Sequence, residues 1–153
     1  MPTLTECLQT DHRRLDAILD ECKALATAGR FAVAAERFAT FRQGLARHID
    51  AEEDVLFPAL AEHAPHAAGP VGVMHAEHGQ IRDLMATVTS ALAASDPAWR
   101  SGVGELEEIL SAHNLKEERV LYPMADEAMS DASDLDALRA RLGGMVGGKT
   151  LQG

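Results

Sequence analysis

Apolar residues recur along most of the chain at the three- and four-residue intervals that are typical of amphipathic helices. The first such stretch begins near Thr3 or Thr5, either of which can cap a helix, and it runs to about Thr27. Gly29 follows as a helix stop. The apolar face of this predicted helix is formed by Leu4, Leu8, Leu15, Leu19 and Cys22.

Three more long helices are predicted by the same periodicity. The second runs from about Arg30 to Glu62, and Pro58 is expected to kink or end it. The segment HAPHAAGP then interrupts the pattern, and the third helix runs from about Val71 to Ala94. The sequence SDP at positions 95–97 supplies a cap and a first-turn proline for the fourth helix, which extends to about Glu127.

The C-terminal part of the chain is predicted to differ from the rest. A short fifth helix is expected near Ser133 to Leu142, and the sequence GGMVGGKTLQG has too many glycines and too little apolar area to favour order. We therefore expect one domain over residues 1–142 and a flexible tail over residues 143–153. The whole pattern indicates an all-α protein, an up-down-up-down four-helix bundle with a short C-terminal fifth helix.

An internal repeat links the two halves of the chain. The second and fourth predicted helices contain HIDAEEDVLFP and HNLKEERVLYP, which match at His, both Glu, Val, Leu, an aromatic residue and Pro at an offset of 65 residues. The first and third contain DHRRLDAIL and EHGQIRDLM, in which acid, His and apolar positions correspond at an offset of 66. Two such hairpins packed face to face bring four histidines to a similar depth: His12, His48, His78 and His113.

Two glutamates share the interior with these histidines. Glu52 follows His48 by four residues and Glu117 follows His113 by four, and positions four apart differ by only about 40° in direction on a helix. Both glutamates fall within the apolar stripes of their helices. The stripe around Glu117 comprises Leu106, Leu110, Val120 and Met124.

Buried carboxylates without a partner are costly, and no Lys or Arg occupies these apolar stripes. Bound metal explains the six residues together, because imidazole and carboxylate ligands suit iron, zinc, manganese or copper. For any single histidine, a hydrogen-bonded core residue is the alternative.

Composition excludes several other functions. The formal net charge is −10 and no basic run is present, which argues against nucleic-acid binding. The N-terminal sequence does not resemble a signal peptide, and no apolar stretch approaches the roughly 18 residues of a membrane helix. Cys7 and Cys22 are too far apart on one helix to form a disulfide with each other. We therefore expect a cytoplasmic protein with no membrane partner.

The order His, His-x-x-x-Glu, His, His-x-x-x-Glu, with the trailing LFP and LYP, resembles the hemerythrin-like (HHE cation-binding) family over about residues 5–127. The resemblance implies a non-haem centre of two iron ions joined by an oxo or hydroxo bridge, with zinc or manganese as substitutes. It implies terminal ligands at His12, His48, His78 and His113, and bridging carboxylates at Glu52 and Glu117.

Two departures from the oxygen carriers of that family concern further ligands. Met74 stands where the carriers have a fifth histidine, and the adjacent His75 lies about 60° around the helix from His78. We include His75 as a seventh metal ligand, which requires the start of the helix to rotate or unwind; an exposed or hydrogen-bonding role is the alternative. Glu53 and Glu118 have the carboxylate spacing of the carriers. A helical wheel of 100° per residue, however, places them at the edge of the apolar stripe, where a solvated position is expected.

Other candidate residues are assigned simpler roles. His63 and His66 fall in the turn after the second helix and are expected to be exposed. Trp99 is interpreted as a packing anchor. Tyr122, five residues beyond Glu117, is either a hydroxyl donor near the centre or a packing aromatic residue.

Three functions remain compatible with this sequence. The first is binding of O2 or NO, for storage or sensing. The second is an enzyme that consumes peroxide or NO, with weak catalase, peroxidase or NO-reducing activity, or an iron donor in the stress response. The third is an interaction module with a structural metal ion. The sequence does not indicate the oligomeric state.

Overall fold

A computed structural model describes residues 3–129 and 131–146, with only the backbone of residue 132. All regular structure within these ranges is helical, so the prediction of an all-α protein is confirmed. The α-helices are α1 (Leu4–Thr27), α2 (Phe31–Ala51), α3 (Phe57–His63), α4 (Ala68–Ala93), α5 (Trp99–Lys116), α6 (Tyr122–Ala128) and α7 (Ala132–Met145). The other helical elements are two π-helical turns, Glu52–Leu56 and Glu117–Leu121, and a 3-10 turn, Pro65–Ala67.

Helix α1 begins and ends where the sequence indicates. The Thr3 hydroxyl accepts from the Glu6 N–H, and the Glu6 carboxylate accepts from the Thr3 N–H, which forms a capping box. Gly29 adopts a φ of 78°, a left-handed conformation that glycine tolerates well at the end of a helix.

The two π-helical turns connect α2 to α3 and α5 to α6 without a break in the helical path. The Phe57 N–H donates to the Glu52 carbonyl, and the Tyr122 N–H donates to the Glu117 carbonyl, five residues back in each case. A proline follows immediately, and proline cannot donate to a carbonyl four residues earlier. The expected interruption at Pro58 therefore takes the form of a π turn that precedes the proline.

The long helices pack chiefly as hairpins. Helix α1 lies against α2, α4 lies against α5, and α2 also packs along α4. Gly44 permits the close approach of α2 to α1, because a Cβ atom there would lie 2.6 Å from Leu15 Cδ2. A cavity of about 450 Å³ lies between α1 and α5. None of the described helices combines the length and the apolar character that crossing a bilayer requires.

A buried polar layer separates two apolar clusters, and each long helical segment passes through all three. One cluster contains Leu15, Phe38, Ile81 and Leu106 among others. The other contains Leu4, Leu56, Met74 and Leu121 among others. The buried polar residues between them are Asp11, His12, His48, Glu52, His78, His113 and Glu117.

The C-terminal helix packs chiefly on the first of the two repeated units. The predicted fifth helix is present as α7, which is capped by Asp131 and lies against α2 and the first π turn. Residues 143–145 of the expected tail belong to this helix, and residues 147–153 lie outside the described part of the chain. Val55 is buried in the first π turn, whereas its counterpart Val120 is 45% exposed. The placement of Val120 in the interior stripe is therefore wrong.

Candidate metal centre

Each long helix contributes one buried histidine to the polar layer. The imidazole rings of His12 on α1 and His48 on α2 have centroids 4.6 Å apart. Those of His78 on α4 and His113 on α5 are 4.9 Å apart. The histidines of each hairpin therefore form a pair.

Two carboxylates lie between these pairs. Glu52 and Glu117 are the first residues of the two π turns, and their side chains are completely buried. Two groups result in which the potential ligand atoms lie within 4.8 Å of one another. The first group is His12, His48, Glu52 and Glu117; the second group is Glu52, His78, His113 and Glu117. The structure thus brings together six of the seven residues that the sequence indicates, and both glutamates are shared.

The outer nitrogen of every one of these histidines contacts a further carboxylate. The Nδ1–oxygen distances are 2.8 Å for His48–Asp11, 2.9 Å for His113–Glu77, 2.8 Å for His78–Glu53 and 2.7 Å for His12–Glu118. An imidazole that donates its proton from Nδ1 carries a lone pair at Nε2, and the Nε2 atoms point into the two groups. Carboxylate–histidine pairs of this kind orient metal ligands and increase their basicity.

These carboxylates follow the internal repeat. Asp11 and Glu77 directly precede the first-helix histidine of their hairpin and contact the second-helix histidine of the same hairpin. Glu53 and Glu118 directly follow the shared glutamates and contact a histidine of the other hairpin. The interpretation of Glu53 and Glu118 as solvated is therefore wrong. An acid before His and a second Glu in both copies was a usable signal for all four.

Cations support three of the four carboxylates. Asp11 accepts from Arg14 at 2.9 Å, Glu53 accepts from Arg82 at 3.0 Å, and Glu77 pairs with Lys116. Burial raises the pKa of each of these three carboxyls, but the neighbouring cations and histidines outweigh it and lower the pKa below its ordinary value. Glu118 instead accepts from the neutral amide of Gln9 at 2.9 Å.

The inner groups interact strongly with one another. Burial raises the pKa of Glu52, but His48 and the other polar neighbours lower it well below its ordinary value. Burial disfavours the charged form of His48, yet Glu52 and Asp11 raise its pKa to about 10. Burial also disfavours the charged form of His113, but Glu117 and the other nearby carboxylates raise its pKa to about 9. Even without a metal ion, the carboxylates of this layer therefore favour a positive charge on the neighbouring histidines.

A metal ion fits the donor atoms of the second group. Among the described residues, three buried side-chain atoms have no hydrogen-bond partner: Glu52 Oε1, His78 Nε2 and Glu117 Oε2. Because His78 Nδ1 donates to Glu53, His78 Nε2 is an acceptor, and it faces Glu52 Oε1 at 3.1 Å. Two acceptors at this distance require a cation or a proton between them.

Tyr122 is the residue whose role the sequence left open. Its hydroxyl lies among the potential ligand atoms of the first group, 2.6 Å from Glu52 Oε2 and 3.0 Å from Glu117 Oε1. In a regular α-helix a residue five positions beyond Glu117 points well away from it, but a π turn closes after five residues and returns Tyr122 to the same face. The alternative of a hydroxyl donor near the centre therefore agrees with its position.

The structure does not bring His75 into either group. Its side chain is 50% exposed, and its Nδ1 lies 3.4 Å from Glu53 Oε2. Helix α4 is regular from Ala68 onward, so the start of the helix is not unwound as binding would require. Gln9, the counterpart of His75 in the repeat, contacts Glu118 in a similar way. The proposed ligand role of His75 stays a prediction.

The remaining predictions concern the surroundings. His63 and His66 are exposed and Trp99 is buried, as expected. An apolar cavity of about 510 Å³ has Phe57 and His75 among its lining residues. The Phe57 ring stacks on His78 with centroids 5.8 Å apart and an interplanar angle of 13°.

Comparison with known proteins gives a consistent assignment. A family model described as the hemerythrin HHE cation-binding domain matches residues 3–125. A relative from Musicola paradisiaca (strain Ech703), described as iron-sulfur cluster repair protein YtfE, is 36% identical over 91 residues, which cover 53% of this chain and 41% of the relative. A protein of the same description from Cronobacter sakazakii (strain ATCC BAA-894) is 31% identical over 101 residues, which cover 60% of this chain and 46% of the relative.

The matched segments thus span less than half the length of these relatives. No solved structure gives a significant match. Because the family match includes all four long helical segments and both candidate ligand groups, the chain belongs to the hemerythrin HHE cation-binding family.

Proposed function

We propose that this protein holds two iron ions in its polar layer and binds a small ligand of the O2, NO or peroxide class there. The six proposed ligands are His12 and His48 at one ion, His78 and His113 at the other, and the shared carboxylates of Glu52 and Glu117. When bound, the two iron ions supply redox capacity and an open coordination position at which the small ligand can bind. Iron is preferred over zinc or manganese because of the family assignment.

The observation that carries this proposal is the orientation of the four histidines. Every Nδ1 is engaged by a carboxylate, so every Nε2 presents a lone pair to the two shared glutamates. A purely structural polar layer would also satisfy the inner atoms with hydrogen bonds, whereas His78 Nε2, Glu52 Oε1 and Glu117 Oε2 have none. The orphaned acceptors in the second group support a bound cation in their place.

The surroundings favour a small uncharged ligand. The cavity of about 510 Å³ beside Phe57 and His75 is lined almost entirely by apolar side chains. Such a cavity admits diatomic gases, which have little need of polar contacts, more readily than charged metabolites. The histidine-rich donor set carries few anions, which favours capture or modest redox chemistry over formation of strongly oxidising iron.

Metal analysis followed by rapid mixing tests the proposal. We expect two irons per chain in protein purified without added metal, and spectral changes when the reduced protein meets O2 or NO. A coloured adduct that reverses under vacuum supports binding, whereas rapid bleaching with measurable peroxide or NO turnover supports the enzyme alternative. Zinc in place of iron, or a stable metal-free protein that takes up no iron, would contradict the proposal.

A second candidate function is iron donation for the repair of iron-sulfur clusters. The names of the two relatives favour it, although the matched segments cover less than half of each. Transfer of iron from the loaded protein to an apo ferredoxin in the presence of sulfide and thiol tests this function. Retention of both irons through the assay would argue against donation.

Cellular location and helix order complete the proposal. Cys7 and Cys22 are free thiols, which suits a reducing cytoplasm. We also propose that the long segments follow the up-down-up-down order of a four-helix bundle, which the short connections between successive segments favour.

A further inference from the structure

One side chain distinguishes the two candidate metal positions. The hydroxyl of Tyr122 lies within 3.2 Å of one ligand atom from every member of the first group. The distances are 2.6 Å to Glu52 Oε2, 3.0 Å to Glu117 Oε1, 3.1 Å to His48 Nε2 and 3.2 Å to His12 Nε2. The tyrosine side chain is completely buried.

Hydrogen bonding does not account for this arrangement when both histidines are neutral, which is the state that metal ligation requires. A phenol has one proton to donate, whereas the two carboxylate oxygens and the lone pairs of two neutral imidazoles that donate from Nδ1 are all acceptors. The distances agree with a different arrangement. Ligand atoms at about 2.1 Å from one ion and at right angles to each other are roughly 3.0 Å apart. The oxygen of Tyr122 has this spacing from three atoms of the first group, Glu117 Oε1, His48 Nε2 and His12 Nε2, and it lies closer, at 2.6 Å, to Glu52 Oε2.

The second group has no such oxygen. The internal repeat places Phe57 at the position of Tyr122, and the Phe57 ring stacks on His78. All three orphaned acceptor atoms of the described residues belong to this group: Glu52 Oε1, His78 Nε2 and Glu117 Oε2. The equivalent position of the repeat therefore places an oxygen beside the candidate ligand atoms in one half and a phenyl ring in the other.

We propose that the phenol oxygen of Tyr122 is a direct ligand of the ion held by His12 and His48, and that Phe57 leaves the ion held by His78 and His113 with the open position. This inference rests on the proposed di-iron site and assigns different roles to its two ions. When the oxygen binds ferric iron, the phenol O–H bond breaks and the proton passes to solvent. The small ligand then binds at the second ion, beside the apolar cavity lined by Phe57.

The chain contains a single tyrosine, so any tyrosinate signal comes from Tyr122. The experiment is to load the full chain with iron, oxidise it, count irons per chain, and record visible absorption and resonance Raman spectra. We expect a phenolate-to-iron charge-transfer band whose Raman vibrations shift when ring-deuterated tyrosine is incorporated. Two ferric ions per chain without tyrosinate vibrations would overturn the assignment of Tyr122 and leave the di-iron proposal intact, whereas failure to bind two irons would count against the di-iron proposal itself.

Two variants complete the test. Tyr122→Phe gives both halves of the repeat a phenylalanine at this position. The variant should lose the tyrosinate vibrations while retaining two irons. Phe57→Tyr is the matched control, because it adds a phenol at the second ion and should give a second set of tyrosinate vibrations. If Tyr122→Phe does not fold, addition of zinc to the wild-type protein decides the matter by ultraviolet difference spectroscopy. Tyrosinate formation on zinc binding supports ligation, and its absence in the zinc-loaded protein contradicts it.

Discussion

The two metal groups have the same ligand framework and different surroundings. Each has two histidines, shares both glutamates, and is supported by carboxylates from both hairpins. The first group contains the hydroxyl of Tyr122 and borders the cavity between α1 and α5. In the second group, His78 stacks against Phe57, which also lines an apolar cavity. Helix α7 packs against α1, α2 and the first π turn, and Val120 in the second π turn is more exposed than its counterpart Val55.

This difference indicates how a duplicated unit can support two roles. In the proposed di-iron site, the ligands would be repeated because each of the two ions would need them. The residues that surround the ligands differ, and in the proposed site the one oxygen that distinguishes Tyr122 from Phe57 would change the coordination available to an ion. On this proposal, mutation would separate metal binding from the exposure of an open position.

Removal of a shared carboxylate should have the largest effect, because it damages both groups at once. Glu52→Ala or Glu117→Ala should lose most of the two-metal binding, as measured by metal content per chain. His63→Ala is the control, since His63 is exposed and belongs to neither group, and its metal content should match the wild type. Near-normal metal content in both glutamate variants would refute the assignment of these residues as bridges.

Loss of a supporting carboxylate should affect one group more than the other. Glu118→Gln disturbs the orientation of His12 in the first group, and Glu53→Gln disturbs His78 in the second. We expect each to weaken metal binding by about 10–100-fold at its own ion, measured by competition with a chelator. The same replacement at exposed Glu62 is the control. Equal losses at both ions in either variant would mean that the groups do not act separately.

The metal-free protein should lose stability as the pH rises. The pKa values of His48 and His113 are raised to about 10 and about 9, above the ordinary value of 6.5. The stabilisation from their protonation is therefore complete below about pH 6.5, declines as the pH rises, and is lost above about pH 10. Thermal unfolding of the metal-free protein should show this decline.

The metal-loaded protein should not show the same alkaline decline, because metal ligation uses neutral imidazole. Metal binding near neutral pH should also release protons, which a weakly buffered titration with a pH indicator measures. Parallel pH profiles for the two forms would contradict the assignment of these histidines to the metal.

Replacement of His75 should have the smallest effect. His75→Ala removes a contact to Glu53, but Arg82 remains to support that carboxylate. We expect a change in metal affinity below the roughly tenfold loss typical of residues that support a ligand. Gln9→Ala is the matched variant in the other half. Loss of one whole metal ion in His75→Ala alone would identify His75 as the seventh ligand.

The sequence was most informative where a signal was repeated. The spacing of His48 to Glu52 recurs at His113 to Glu117, and the four-residue interval places each pair on one helical face without knowledge of the tertiary structure. The six candidate ligands and the long helices could be predicted for this reason. The carboxylates at Asp11 and Glu77 were present in the same repeat, but their partners lie on other helices, where spacing along one helix carries no information.

Errors arose where helical geometry changed. A regular helical wheel of 100° per residue places Val120 on the buried face of its helix. The π turn that begins at Glu117 changes the angular positions of the residues that follow, and Val120 is exposed. The same shift carries Tyr122 into the first group. His75 illustrates the opposite case, because α4 is regular from Ala68 onward and the half-exposed His75 side chain lies near Glu53.

By itself, the sequence determined that the chain is helical, that its halves are related, and which six side chains are aimed at a common interior, because these properties depend on periodicity and spacing along single helices. Only the tertiary structure decided which carboxylate supports each histidine and that the oxygen of Tyr122, but no atom of Phe57, lies among the ligand atoms. These contacts join different helices across π turns, and their distances depend on packing that no local pattern encodes.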